Sequence, residues 1–211
     1  MNKLLIKDAT IINEGKRSIE DIYIEGEFIK KIGVGIKLNN EVETINANGF
    51  LVIPGMIDDQ VHFREPGLTH KGDISTESKA AIAGGVTSYI EMPNTIPNTT
   101  TIEEFNNKIK NASNNSFANF SFMFGGTNDN IDEIKKIDKS EVAGIKLFLG
   151  SSTGKMLIDN REAIENIFMS TSLPISAHCE DEQTIKDNTD YYTDLYGEDI
   201  PIEIHPKIRS E

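Results

Sequence analysis

Beyond residue 54 the chain repeats one pattern, in which a short apolar or β-branched run is followed by a stretch with helical spacing and then by another apolar run. The spacing predicts helices over 75–83, 102–112, 131–137 and 161–170. Between and around them lie strand-like runs at 51–58, 86–92, 119–124, 144–149 and 173–177. Strands separated by helices must run parallel, because the crossover returns the chain to the same end of the sheet. Both a closed barrel and an open doubly wound sheet satisfy that pattern.

The placement of polar residues separates the two. His62 and Arg64, Asn94, Lys146 and His178 fall in or just after four of the five apolar runs. Chemically useful side chains gathered at the C-terminal ends of several strands are the habit of (β/α) barrels. The expected fold is therefore α/β, a partial TIM-type barrel with about five of the eight strands of the complete form, occupying residues 54–211.

Residues 1–53 read differently. Short runs such as Leu4-Leu5-Ile6, Ala9-Thr10-Ile11-Ile12, Asp21-Ile22-Tyr23-Ile24 and Phe28-Ile29-Lys30-Lys31-Ile32 are punctuated by turn residues, with Glu25-Gly26-Glu27 as one turn. These predict a small β-rich module. The polar tail over 187–211 shows no clear period.

Composition excludes several classes of function. A net charge of −13 leaves no basic surface for nucleic acid. No apolar run approaches the roughly 18 residues that cross a bilayer, and the N-terminus lacks a signal-peptide core. A single cysteine, Cys179, cannot form an internal disulfide and suits a reducing compartment, so the expected location is cytoplasmic. That thiol reads as a small buried residue rather than a nucleophile.

The chemistry is concentrated in a few segments. In Gln60-Val61-His62-Phe63-Arg64-Glu65-Pro66-Gly67 a strand's period puts Gln60, His62 and Arg64 on one face. An imidazole is a common metal ligand, although a lone strand histidine is also a common structural residue, and a guanidinium forks onto carboxylates. Lys146 lies inside the apolar run Gly144-Ile145-Lys146-Leu147-Phe148, where it either snorkels outward or loses its proton. A neutral lysine amine can add carbon dioxide and become an anionic carbamate. His178 ends Pro174-Ile175-Ser176-Ala177-His178, and Asn94 sits in a proline-constrained turn. His70 reads as a solvated loop residue and His205 as structural.

Taken together, and above all through His62-Phe63-Arg64-Glu65-Pro66-Gly67, these residues resemble the dihydroorotase branch of the amidohydrolase superfamily. The resemblance implies that His62, Lys146 as a carbamate and His178 hold one or two zinc ions. It implies that Arg64 and Asn94 grip the carboxylate of a small-molecule substrate, dihydroorotate or N-carbamoyl-aspartate, in pyrimidine biosynthesis. It further implies that a proton-transfer Asp and another His ligand come from barrel strands beyond residue 211, so that the 211 residues alone are expected to be inactive. A homodimer is compatible with it. Allantoinases and hydantoinases look similar but lack the arginine at position 64. The family's usual His-x-His appears here as Gln60-Val61-His62, which leaves open a weaker metal site or a non-catalytic partner protein.

Overall fold

The computed structural model describes residues 2–150 and 156–209. The chain divides into two compact units between Gly55 and Met56.

The first unit is a five-stranded sheet. Strand β1 (Lys3–Asn13) turns back on β2 (Lys16–Glu25) through Glu14 and Gly15, and β2 on β3 (Phe28–Gly33) through Gly26 and Glu27. Glu14 and Gly15 both carry positive φ, the twist that lets a two-residue loop join right-handed strands. Two short strands, β4 (Glu43–Asn46) and β5 (Leu51–Val52), lie parallel to β1. The two runs expected at Leu4–Ile6 and Ala9–Ile12 form one strand with a bulge between Ile6 and Ala9, where Asp8 has φ 58°. The buried Asp21 carboxylate holds that bulge by accepting the N–H groups of Asp8, at 3.0 Å, and Ile36, at 2.8 Å.

The run expected over 51–58 is in fact split. Leu51–Val52 belongs to the first sheet, and Pro54, which has no N–H to donate, separates it from β6 (Met56–Val61). In the second unit β6, β7 (Val86–Glu91), β8 (Asn119–Gly125), β9 (Gly144–Phe148) and β10 (Ile175–His178) pair side by side in chain order, every neighbour parallel. The sheet curls as half of a barrel, the expected α/β architecture.

Helices α1 (Ile74–Ala83), α2 (Ile102–Asn115), the single turn α3 (Ile131–Ile134) and α4 (Arg161–Ser170) alternate with the strands. Asp73, Thr101 and Asn160 cap α1, α2 and α4 with side-chain oxygens. The helix expected over 131–137 stops after one turn. Asn130 at its start is diverted, donating to the carbonyls of Thr100 and Gly125 while its oxygen accepts the Thr127 N–H. A helix the periodicity did not show, α5 (Glu182–Tyr196), runs into the polar tail and is followed by a 3-10 turn and the short α6 (His205–Ile208). No helix among the described residues is long and apolar enough to cross a membrane.

Register sorts the strand residues into two faces. Tyr89 and Glu91 pair with Phe120 and Phe122, Phe124 with Ile145, and Ile145 and Leu147 with Ile175 and Ala177. Tyr89, Phe122, Phe124, Ile145 and Leu147 pack in one core with Ile74, Phe105, Ala112 and Ile167 of the helices. Each fully buried Phe, Ile or Leu side chain among them contributes about 1.5–3 kcal/mol. The opposite, inner face carries Ser121, Met123, Gly125, Lys146, Phe148, Ser176 and His178.

Candidate functional site

Strand β6 ends at Val61, which pairs with Glu91 and turns with Phe63 toward the core, so that Gln60 and His62 are left to the inner face. Lys146 and His178 reach the same face. Ser176 pairs with Lys146 and His178 with Phe148, placing the two side chains on one side of adjacent strands. The Phe148 ring lies against both: its centroid is 5.3 Å from the Lys146 ammonium and 6.2 Å from the His178 ring, which stacks on it at 28°.

Lys146 is 2% exposed. Burial pushes its ammonium below the ordinary lysine range, and the nearby Cys179 thiol opposes that shift. His62 is likewise pushed down, first by burial and then by the positive charge of Arg64, with further contributions from Lys146 and Lys108; the Asn94 amide pulls the other way. Arg64, Asn94 and Lys146 thus each lie within electrostatic reach of His62.

Arg64 departs from the strand reading of the sequence. It follows the end of β6 and takes a left-handed backbone, φ 72°, rather than continuing the alternation. Its N–H donates to Glu91 Oε1 at 3.0 Å, and its carbonyl accepts the Leu68 N–H at 3.0 Å. The loop it opens is pressed onto the loop after β7. The Pro66 carbonyl accepts the Ile96 N–H at 3.1 Å, and a Cβ at Gly67 would stand 2.0 Å from the Ile96 carbonyl oxygen. Asn94, in that second loop, is 8% exposed, and among the described residues its buried side-chain oxygen has no hydrogen-bond partner. A buried carbonyl oxygen with nothing to accept is costly unless something else visits it.

Beneath Arg64 lies a pair that reading the sequence missed. Glu91 Oε2 is 2.8 Å from the Lys108 ammonium, and both side chains are 1% exposed. Lys108 also donates to the Met92 carbonyl at 3.0 Å and sits 5.1 Å from the Phe122 ring centroid. Burial pushes the Glu91 carboxyl up and the Lys108 ammonium down, each opposed by the other's charge. The sequence did carry a signal: Lys108 shares the helical phase of Phe105, Ile109 and Ala112, and Glu91 shares the strand phase of Tyr89.

At the other edge, His178 Nε2 is 2.9 Å from Glu180 Oε2, and Glu180 is gripped by Arg209. Hydrogen bonds from Arg209, then from His178, hold the Glu180 carboxyl below the usual range. Cys179 is exposed rather than buried, because it follows the last residue of β10. His70 and His205 are exposed, and His205 meets the group above only through its backbone, its carbonyl accepting the Arg209 N–H at 3.2 Å.

Among the described residues, no three of His, Cys, Asp and Glu come together as a ready ligand set. Two imidazoles are sound donors for an ion such as zinc. Lys146 fits such a set only after losing its charge, which is the direction burial drives it.

Comparison with known proteins matches residues 49–191 to the family described as dihydro-orotase-like. The chain is 34% identical to the dihydroorotase of Methanosarcina mazei over 99% of its own length and 45% of the relative's. It is 35% identical to that of Halobacterium salinarum over 84% of this chain and 41% of the relative. The chain therefore spans less than half the length of the curated relatives it matches. Among solved structures it superimposes on the L-hydantoinase (dihydropyrimidinase) of Arthrobacter aurescens with a TM-score of 0.88 at 27% identity, covering 94% of this chain and 45% of the other. A D-hydantoinase (dihydropyrimidinase) from Thermus sp. gives a TM-score of 0.79 at 28% identity, over 99% of this chain and 46% of the other.

Proposed function

Since this chain belongs to the dihydro-orotase-like family, we propose that its protein is a dihydroorotase, interconverting N-carbamoyl-aspartate and dihydroorotate in pyrimidine biosynthesis in the cytoplasm. The observation that carries the reading is the shared inner face of His62, Lys146 and His178, with the charge of Arg64 acting on His62. The relatives of similar sequence are named dihydroorotases.

His62, His178 and a carboxylated Lys146 would hold one or two zinc ions. Burial of Lys146 favours the neutral amine, which adds carbon dioxide and releases a proton to give an anionic two-oxygen donor. A metal held by these residues would supply Lewis acidity, activating water near neutral pH and polarising an amide carbonyl. Gln60 offers a carboxamide oxygen where an imidazole would bind more strongly, so one metal position is the weaker. Arg64 and Asn94 would hold the substrate carboxylate, the guanidinium by charge and the amide by donating N–H groups, while the buried, unpartnered Asn94 oxygen would accept an N–H of the ring.

The structural likeness to hydantoinases supports a second reading, action on an uncharged ring. Arg64 discriminates, because a guanidinium beside a neutral ring has no anion to pair with. The complete protein should hydrolyse dihydroorotate faster than an uncharged hydantoin, and Arg64→Ala should abolish the first activity. Unchanged dihydroorotate turnover in that variant would overturn the substrate assignment. Zero metal per folded chain would instead favour a non-catalytic relative.

A further inference from the structure

His178 has the setting of a ligand whose orientation is controlled from behind. It is the last residue of β10, and its ring lies against Phe148. Its backbone is pinned to the neighbouring strand, since the His178 carbonyl accepts the Leu149 N–H at 3.0 Å. Two residues on, Glu180 packs so closely on Gly150 that a Cβ there would come within 2.8 Å of Glu180 backbone and side-chain atoms. The turn carrying the carboxylate is therefore seated rather than loose.

Glu180 is held at both oxygens. Arg209 donates from Nε to Oε1 and from Nη2 to Oε2, each at 2.7 Å, across 29 residues of sequence. This two-pronged geometry fixes the carboxylate plane as a single hydrogen bond would not. Asp181 offers no substitute, because its oxygens are taken by the Gln183 N–H and the Thr184 hydroxyl at the start of α5.

The consequence is chemical. A carboxylate paired to a guanidinium only accepts hydrogen bonds, so the hydrogen between Glu180 Oε2 and His178 Nε2 belongs to the ring. A neutral imidazole has one N–H. With Nε2 carrying it, Nδ1 keeps a bare lone pair.

We propose that Glu180, clamped by Arg209, is a positioning residue that fixes His178 as its Nε2–H tautomer and leaves Nδ1 as the nitrogen free to bind a metal. The inference rests on the reading of His178 as a metal ligand. Carboxylates behind ligating histidines set both ring orientation and donor strength, and their loss weakens metal binding about 10–100-fold.

The test has two readouts. In the complete protein stripped of metal, near neutral pH, long-range ¹H–¹⁵N correlation of the histidine rings should show His178 protonated at Nε2 alone. A ring protonated at both nitrogens, or at Nδ1 alone, would overturn the proposal without any mutation. In the complete protein, calorimetric titration with Zn²⁺ should show affinity reduced about 10–100-fold in Glu180→Ala and by a similar amount in Arg209→Met. His178→Ala serves as the reference for loss of the ligand itself. Loss of affinity in His178→Ala with none in Glu180→Ala would sink the positioning role and leave the metal assignment standing. Unchanged affinity in His178→Ala would sink the metal assignment and the inference with it, even if the tautomer is as described. If Glu180→Ala fails to fold, Glu180→Gln with the wild-type ring spectrum decides the matter.

Discussion

Glu91 accepts the Arg64 N–H with one carboxylate oxygen and faces the Lys108 ammonium with the other, at 2.8 Å, so an ion pair buried under the sheet supports the left-handed turn of Arg64. A buried pair of this kind gives little net stability over a well-packed apolar replacement, but removing one partner leaves an uncompensated charge. Lys108→Met should therefore destabilise the protein by about 3–5 kcal/mol. The double variant Glu91→Gln with Lys108→Met should recover much of that loss, since no charge is stranded and the amide oxygen still accepts from Arg64. Urea unfolding at neutral pH measures both; equal losses in the single and double variants would contradict the argument.

Gly67 tests how tightly the two site loops are joined. Its φ is 84°, and a Cβ would meet the Ile96 backbone carbonyl at 2.0 Å, an atom that cannot yield as a flexible side chain could. Gly67→Ala should cost more than the roughly 1 kcal/mol of an ordinary unfavourable glycine replacement. The melting temperature would drop accordingly, and a variant as stable as the parent would show that the loops separate freely.

Tyr89 should titrate late. Burial pushes its hydroxyl up to about 12, although the hydrogen bond to Ser116 Oγ, at 3.1 Å, works the other way. Because the folded value lies above the unfolded value near 10, the stabilisation is complete below pH 10 and is lost as pH rises through about 12. Ultraviolet titration of the five tyrosines should leave one neutral until the fold opens, and Tyr89→Phe should remove that late step.

Asp21 predicts the acid behaviour of the first unit. The Asp8 N–H, then the Ile36 N–H, hold its carboxyl below the usual range against the cost of burial. A depressed folded value means that the stabilisation is present above the unfolded value of about 3.9 and disappears as pH falls through the lower folded value. Asp21→Ala would strand two backbone N–H groups, costing on the order of 1–3 kcal/mol for each one left unsatisfied. Circular dichroism against pH should show the variant lacking the acid transition assigned to this carboxyl.

Local pattern was enough to place nearly every strand of the half barrel and to put Lys146 and His178 on strands of that sheet, because alternation and helical spacing are properties of neighbouring residues. It could not show α5, a helix without a single buried residue, whose start is set by the Asp181 cap rather than by an apolar stripe. Nor could it show that Arg64 leaves the extended conformation, since that turn is held by Glu91 from another strand. The Glu91–Lys108 and Glu180–Arg209 pairs join residues 17 and 29 positions apart. Charges that far apart in the chain find one another only when the sheet and its helices have packed, and that packing, not the sequence period, chose which polar groups support the site.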